Sequence, residues 1–341
     1  MAQKTGINKL NVRDLNEFST ELVNAILTAE DYINKVTAGF DGVLGKDAAE
    51  VISSGGKRLR PVLLIISYLG NNGDVKLCLP ACAAIELFHS ATLVHDDIID
   101  GSIERRGKKT LNHLKGDRYA LLVGDYLFSS SFKELAKYDD SNLMGILSIV
   151  GIYSCLGEYF QHKQSRTVMR TEDYFSRIKN KTGYLFSASC HVGARLANKP
   201  VCEIEKYSSF GMKMGQAYQI YDDSLDIVGE EEVLGKSPGN DIKEGVVTLP
   251  VLMALEILAG DRRSSGIIKR AMTSKDISKV DLNTTLEVLR SSGAVERTIN
   301  YADDLAKGAI DDLKQVAKAG QVNDAVALWH LIRQRIKISN G

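Results

Sequence analysis

The stretch LVHDDIID (residues 93–100) sets three aspartates, Asp96, Asp97 and Asp100, into an otherwise apolar run. Clustered carboxylates repel one another and are costly to take out of water unless something positive meets them. Further along, QIYDDSLD (219–226) repeats the spacing with Asp222, Asp223 and Asp226. Residues four apart on a helix lie about 40° apart around the axis and about 6 Å along it. Asp96 with Asp100, and Asp222 with Asp226, therefore each put a pair of carboxylates on one helix face. If the two helices faced one another, six carboxylates would line one cavity. Hard oxygen ligands of this kind suit Mg²⁺, which binds through one or two carboxylates and completes its shell with water and substrate phosphate. A solvated helix end is the plainer account of a lone Asp-Asp pair. It weakens here because both clusters share a spacing and both are embedded in apolar helix.

Around these clusters the chain reads as helical almost throughout. Only five prolines occur in 341 residues, and few segments alternate as a half-buried strand would. Helical spacing runs over about 15–37, 60–70, 77–100, 116–138, 141–167, 171–197, 201–229, 246–260 and, in pieces, 281–336. Segments 81–94 and 210–228 are apolar or small nearly all round, as in helices central to a bundle. Breaks fall at 53–56, 101–110, 197–200 and 235–241, and none resembles a flexible linker. One all-α domain is expected over 46–341, preceded by a helical segment, 1–45, without a motif.

With 44% hydrophobic residues the chain can bury a substantial core. Acidic and basic residues balance at 43 each, so net charge gives no argument for nucleic acid or an anionic membrane. The five cysteines show no zinc-ligand spacing and suit a reduced, cytoplasmic protein. No apolar h-region opens the chain, and the run taken as the longest apolar one, 61–70, is too short to cross a bilayer. A soluble protein is the expectation.

Magnesium held by carboxylates calls for a phosphate, and cations that suit one are present. SSGGKRLRPVLL (53–64) places Lys57 and Arg60 at the start of a helix, where positive side chains oppose the helix dipole unless an anion lies between. IERRGKKT follows the first Asp cluster with Arg105 and Arg106, whose forks fit phosphate oxygens. Lys181 and Lys236 add cations near polar breaks. Each feature alone is weak.

Together, GGKRLRP (55–61), LFHSATLVHDDIID (87–100), RRG (105–107), KTG (181–183), QIYDDSLD (219–226) and GKSPGNDIKEGVVTLP (235–250) resemble the trans-polyprenyl diphosphate synthases, the head-to-tail prenyltransferases. The resemblance implies a large single-domain helical bundle around a central active-site cavity, of the isoprenoid synthase type, and a homodimer. Lys57, Arg60, His89 and Arg106 match positions that hold the diphosphate of isopentenyl diphosphate. Asp96, Asp100 and Asp222 match the principal ligands of three Mg²⁺ ions on an allylic diphosphate, with Asp97, Asp223 and Asp226 in support. Arg105, Lys181 and Lys236 match cations on that same diphosphate. Thr182 and Gln219 match polar groups beside the developing allylic cation. In one departure, Val246 stands where the family usually has a lysine.

A product chain anchored at Asp96 and Asp100 would descend the helix that carries them, past Thr92 and Ala91 and then Phe88. Short-chain members often carry a bulky aromatic at the fifth position before the first Asp. Ala91 there implies an open tunnel and a product longer than C20. Phe88, about 12 Å along the axis from Asp96, is either a deeper floor, giving geranylgeranyl or farnesyl diphosphate, or packs sideways into the bundle. Release of a long product would involve transient membrane contact. The rivals are a terpene cyclase, a non-catalytic subunit of a heteromeric synthase, and a structural scaffold. Retention of both Asp clusters and of the Lys57/Arg60 pair disfavours all three.

Overall fold

Apolar residues at helical spacing dominate the chain, and the computed structural model, which describes residues 16–70, 73–167, 169–229 and 238–334, is accordingly all-α apart from one tiny hairpin. Lys236 and the C-terminal residues 335–341 lie outside the described residues, as do the first fifteen. In chain order the helices needed below are α1 (Thr20–Ala38), α2 (Gly42–Ser53), α3 (Leu59–Tyr68), α4 (Leu79–Ile99), α5 (Leu111–Lys115), α6 (Asp117–Leu135), α7 (Ser141–Gln164), α8 (Thr171–Ile178), α9 (Tyr184–Leu196) and α10 (Val201–Val228). Further helices follow to Arg333.

The described residues divide into two compact units. The first comprises the described residues within 16–149, 185–211 and 310–329. Its centre is α4, which packs on α1, α3 and α6. Ile33, Ile52, Leu87, Ala91, Val94, Val123 and Leu127 interlock there without solvent exposure to speak of, and each fully buried aliphatic side chain stabilises by about 1.5–3 kcal/mol. The small residues of α4, among them Ala81, Ala83, Ala84 and Ala91, are all fully buried. They let neighbouring helices approach on several sides, which is why the helix reads as apolar all round.

The segment 101–110, expected as a basic loop, contains a two-stranded antiparallel hairpin, β1 (Glu104–Arg105) with β2 (Lys108–Lys109). Arg106 and Gly107 close it with φ of 55° and 71°. Positive φ at both central residues is what a type I′ two-residue hairpin turn requires.

The second unit comprises the described residues within 150–184, 212–309 and 330–334. Tyr174 of α8 and Tyr221 and Leu225 of α10 are fully buried in it. Arg177, itself buried, donates from Nη2 to the Val247 carbonyl at 2.6 Å and so ties α8 to the segment just before the helix Leu249–Ile257. The helical reading of 171–197 is interrupted: Lys179–Gly183 form a π-turn between α8 and α9. Single π-turns inside α-helices occur frequently at functional sites.

The membrane expectation needs one correction. Helix α7 has 24 residues with mean hydropathy 1.5 over its most apolar window, long and apolar enough to cross a membrane, and little of that window is buried. The sequence reading passed over 143–157, which carries Ser, Gly and Tyr among its apolar residues as 61–70 does and is longer.

Candidate active site

The first unit gathers the glycine-rich loop, the start of α3, the C-terminal half of α4 and the basic hairpin. The loop is set by a residue not singled out from sequence. Arg58 adopts a left-handed conformation, φ 50°, as the residue capping α3, and its side chain is buried. Its guanidinium pairs with Glu86 at 2.5 Å and Glu30 at 3.0 Å and donates to the Ile52 carbonyl at 3.0 Å. The inward turn of Arg58 leaves Lys57 and Arg60 half-buried on either side of it. Arg60 lies over the Phe186 ring, 4.8 Å from its centroid, an arrangement that holds a guanidinium plane in place.

Arg106 reaches this loop from the hairpin. A Cβ on Gly56 would come within 3.1 Å of its guanidinium, so the glycine permits the approach. His89 sits one face of α4 away from the core and is half-buried. Desolvation, then the charges of Arg60, Arg106, Arg105 and Arg58, push its pKa well below the ordinary imidazole value. The ring is therefore neutral, with one N–H to give to an oxyanion.

Asp96 and Asp100 lie on the last turn of α4, where Asp100 caps the helix and its N–H donates to the Asp96 carbonyl at 2.8 Å. Asp96 is half-buried and Asp100 exposed. Asp97 points elsewhere: it is buried and accepts from Arg105 Nε at 2.8 Å. Burial raises its pKa, against the opposing pull of Arg105 and Arg106. Arg105, matched by resemblance to a diphosphate cation, is thus joined to Asp97.

Phe88 packs sideways. Its ring is buried and meets Phe128 of α6 edge to face, 4.9 Å between centroids. Ala91 is fully buried in the core cluster, and the Thr92 hydroxyl donates back to the His89 carbonyl at 2.8 Å. The His95 ring lies 5.5 Å from that of Phe128.

In the second unit Lys181, Thr182 and Gly183 fall within the π-turn. Lys181 is paired with the nearly buried Glu158 of α7 at 2.5 Å and donates to Gln161 Oε1 at 3.3 Å. Both partners belong to GEYFQ (157–161), a segment whose role in holding the lysine was not evident from sequence. A Cβ on Gly157 would lie 2.8 Å from the Lys181 backbone nitrogen, so only glycine admits the turn this close to α7.

Thr182 Oγ1 donates to Gln219 Oε1 at 2.7 Å, and Gln219 Nε2 donates to Asp223 Oδ1 at 2.8 Å. The Tyr174 hydroxyl donates to the other oxygen, Asp223 Oδ2, at 2.7 Å. Burial raises the Asp223 pKa to about 6, against the lowering effect of Tyr174 and Gln219. Asp226 is buried and accepts the Asp241 backbone N–H at 3.0 Å. Asp222 is half-buried. Val246 is buried, its N–H bonded to the Asp241 carbonyl at 2.8 Å.

Among the described residues no three His, Cys, Asp or Glu side chains gather into a ready-made metal cage. Mg²⁺ is usually bound by one or two carboxylates together with water and substrate phosphate. The oxygen-only donors Asp96 and Asp100, one turn apart and accessible, fit such an ion.

Residues 42–286 match the family model described as polyprenyl synthetase. The chain is 32% identical over 307 residues to heptaprenyl diphosphate synthase component 2 of Geobacillus stearothermophilus, covering 89% of this chain and 94% of that one. It is 32% identical over 319 residues to geranylgeranyl diphosphate synthase of Sulfolobus acidocaldarius, covering 90% and 94%. Among solved structures it resembles a polyprenyl synthase of Caulobacter crescentus, complexed with calcium and isoprenyl diphosphate. The TM-score is 0.86 and the identity 30%, over 93% of this chain and 98% of that one.

Proposed function

The chain belongs to the polyprenyl synthetase family of prenyl-transferring enzymes, and from that premise we propose that it condenses isopentenyl diphosphate with an allylic diphosphate. The product is an all-trans polyprenyl diphosphate and the reaction depends on Mg²⁺. The observation that carries this is the cationic corner of the first unit, where Arg60 and Arg106 converge on a neutral His89 beside the Asp96–Asp100 turn.

Lys57, Arg60 and Arg106 hold the diphosphate of isopentenyl diphosphate, and His89 donates its N–H to it. Neutral His89 adds a hydrogen bond without adding repulsion among the arginines. Asp96, Asp100 and Asp222 would hold Mg²⁺, up to three ions as the family resemblance implies, and the metal supplies charge neutralisation on the departing diphosphate. Lys181 serves the same end.

The allylic C–O bond breaks, with its electron pair leaving on the diphosphate. The isopentenyl double bond, fixed by its own anchored diphosphate, attacks the allylic carbon, a gain from positioning. The released diphosphate takes the proton lost from the adjacent carbon. Thr182 and Gln219 face the allylic cation with polar oxygens. No side-chain nucleophile is required.

We place the product beyond C20. Ala91 is small, and Phe88 is engaged with Phe128 in the core. A short-chain synthase is the alternative, favoured if the Phe88–Phe128 pair acts as a floor. The named relatives include both a heptaprenyl and a geranylgeranyl enzyme. Incubation with Mg²⁺, isopentenyl diphosphate and farnesyl diphosphate, followed by mass spectrometry, decides: a ladder past C20 is expected, whereas a stop at C20 makes Phe88 the floor. Asp96→Ala and Asp222→Ala are each expected to lower turnover by a factor of at least about 10³, the scale of a lost transition-state electrostatic group, with the helical circular dichroism unchanged. Near-wild-type turnover in either variant would sink the metal assignment.

A further inference from the structure

The second DDxxD cluster contains a carboxylate whose two oxygens are both occupied by protein donors. Asp223 is buried, with Tyr174 Oη on Oδ2 and Gln219 Nε2 on Oδ1. Tyr174 is fully buried as well. Beyond Gln219 the chain continues to Thr182 Oγ1 in the π-turn. All four residues belong to the second unit.

The direction of these bonds follows from the charge at one end. An ionised carboxylate only accepts, so the Gln219 amide must turn its NH₂ to Asp223 and its carbonyl oxygen outward. That carbonyl in turn takes the Thr182 O–H proton. Thr182 is left with its lone pairs directed away from Gln219. Hydrogen bonds arranged head to tail polarise one another in a low-dielectric interior, so the negative charge of Asp223 enriches the outer oxygen.

We infer that Asp223 is a positioning residue rather than a metal ligand, and that with Tyr174 it fixes the Gln219 amide and the Thr182 hydroxyl so that oxygen lone pairs meet the allylic cation. The inference rests on the proposed condensation, in which Thr182 and Gln219 face that cation. It assigns Tyr174 to the reaction and divides the cluster by task. Asp222 remains for metal, Asp223 orients the polar wall, and Asp226 secures the backbone at Asp241. The same division holds in the first cluster, where Asp97 is tied to Arg105.

The test is steady-state kinetics on the full chain with isopentenyl and farnesyl diphosphates, titrating Mg²⁺, for the wild type, Tyr174→Phe, Thr182→Ala and the double variant. Tyr174→Phe should lower kcat about tenfold, while both KM values and the Mg²⁺ half-saturation stay within about twofold. In the Thr182→Ala background the same substitution should cost clearly less than it does in the wild type, because the relay then ends at Gln219. A general packing defect would instead multiply with Thr182→Ala. Multiplicative loss, an increased Mg²⁺ requirement, or wild-type kcat in Tyr174→Phe would each overturn the inference. Should Tyr174→Phe lose its helical circular dichroism, Asp223→Asn, of nearly the same volume, enters the same cycle with the same expectations. Wild-type turnover separates the two claims: without it the condensation itself falls, and with it the variants judge the relay alone.

Discussion

His89 sits where burial and four guanidinium groups all oppose a charge on its ring. An ordinary histidine titrates near 6.5, so a depressed value means the unfolded chain binds the proton more readily. Stability from this site is therefore present above about pH 6.5 and is lost as the pH falls toward the depressed value. Ring proton shifts should show His89 still neutral at about pH 6 in the free protein, and inorganic diphosphate should raise its midpoint by cancelling arginine charge. A midpoint indifferent to diphosphate would remove His89 from that site. Arg58 has the opposite character, a buried cation whose partners depend on it. Arg58→Ala leaves Glu86 buried without its guanidinium, a change that costs about 3–5 kcal/mol. A much lower Tm is expected, and a higher KM for isopentenyl diphosphate because the loop bearing Lys57 and Arg60 loses its anchor. An unchanged Tm would deny Arg58 that role.

At the scale of elements, the π-turn at Lys179–Gly183 and the helix it lies against form one device. Gly157 admits the turn, and Glu158 and Gln161 hold the Lys181 ammonium. Gly157→Ala would improve helix propensity by about 1 kcal/mol in an isolated helix. Here its methyl meets the Lys181 backbone at 2.8 Å and must move the turn. The expected outcome is a kcat lowered at least about tenfold, since misplacing a catalytic group by about 1 Å costs on the order of 10². The KM for isopentenyl diphosphate should be unchanged, because the residues assigned to that substrate lie in the other unit. An equal rise in that KM would show a wider disturbance. The hairpin 104–109 is a second such device. Its two-residue turn carries Arg106 to the Gly56 loop, while Arg105 one residue earlier turns to Asp97.

For the molecule as a whole, the telling feature is what stays uncovered. Along α7, Ile149, Ile152, Leu156, Tyr159 and Phe160 recur at helical spacing with their side chains exposed, Ile152 by 61%. α6 likewise exposes Leu121 and Leu122. Contiguous apolar stripes of this kind mark interaction surfaces. A second copy of the chain is the occupant we propose, in keeping with the homodimer the family resemblance implies. Ile152→Asp should convert a dimer to a monomer in light scattering at micromolar concentration. A wild-type monomer, or a dimer indifferent to the charge, would overturn that assignment.

Much of the fold is legible in the sequence because helical periodicity is local. The spacing of apolar residues alone predicts α4 and α10 and sets Asp96, Asp100 and Asp222 on their faces. The all-α class follows from the same signal, and the ordered motifs identify the family. Three things were not legible: the hairpin and the π-turn, too short to build a periodic signature, and the 42–53 helix, whose buried face, Gly45, Ala48 and Ile52, is mostly small residues. Side-chain partnership was beyond reach for a different reason. That Tyr174 would meet Asp223, Arg58 meet Glu86, or Arg105 meet Asp97 depends on which helix faces bury together, and a one-dimensional pattern carries no record of that. The residue types and their order determined the chemistry this chain can attempt. Only the packed structure decided which of its charges are committed to holding others in place, because pairing a buried charge is a demand made by desolvation, and desolvation exists only once the chain has folded.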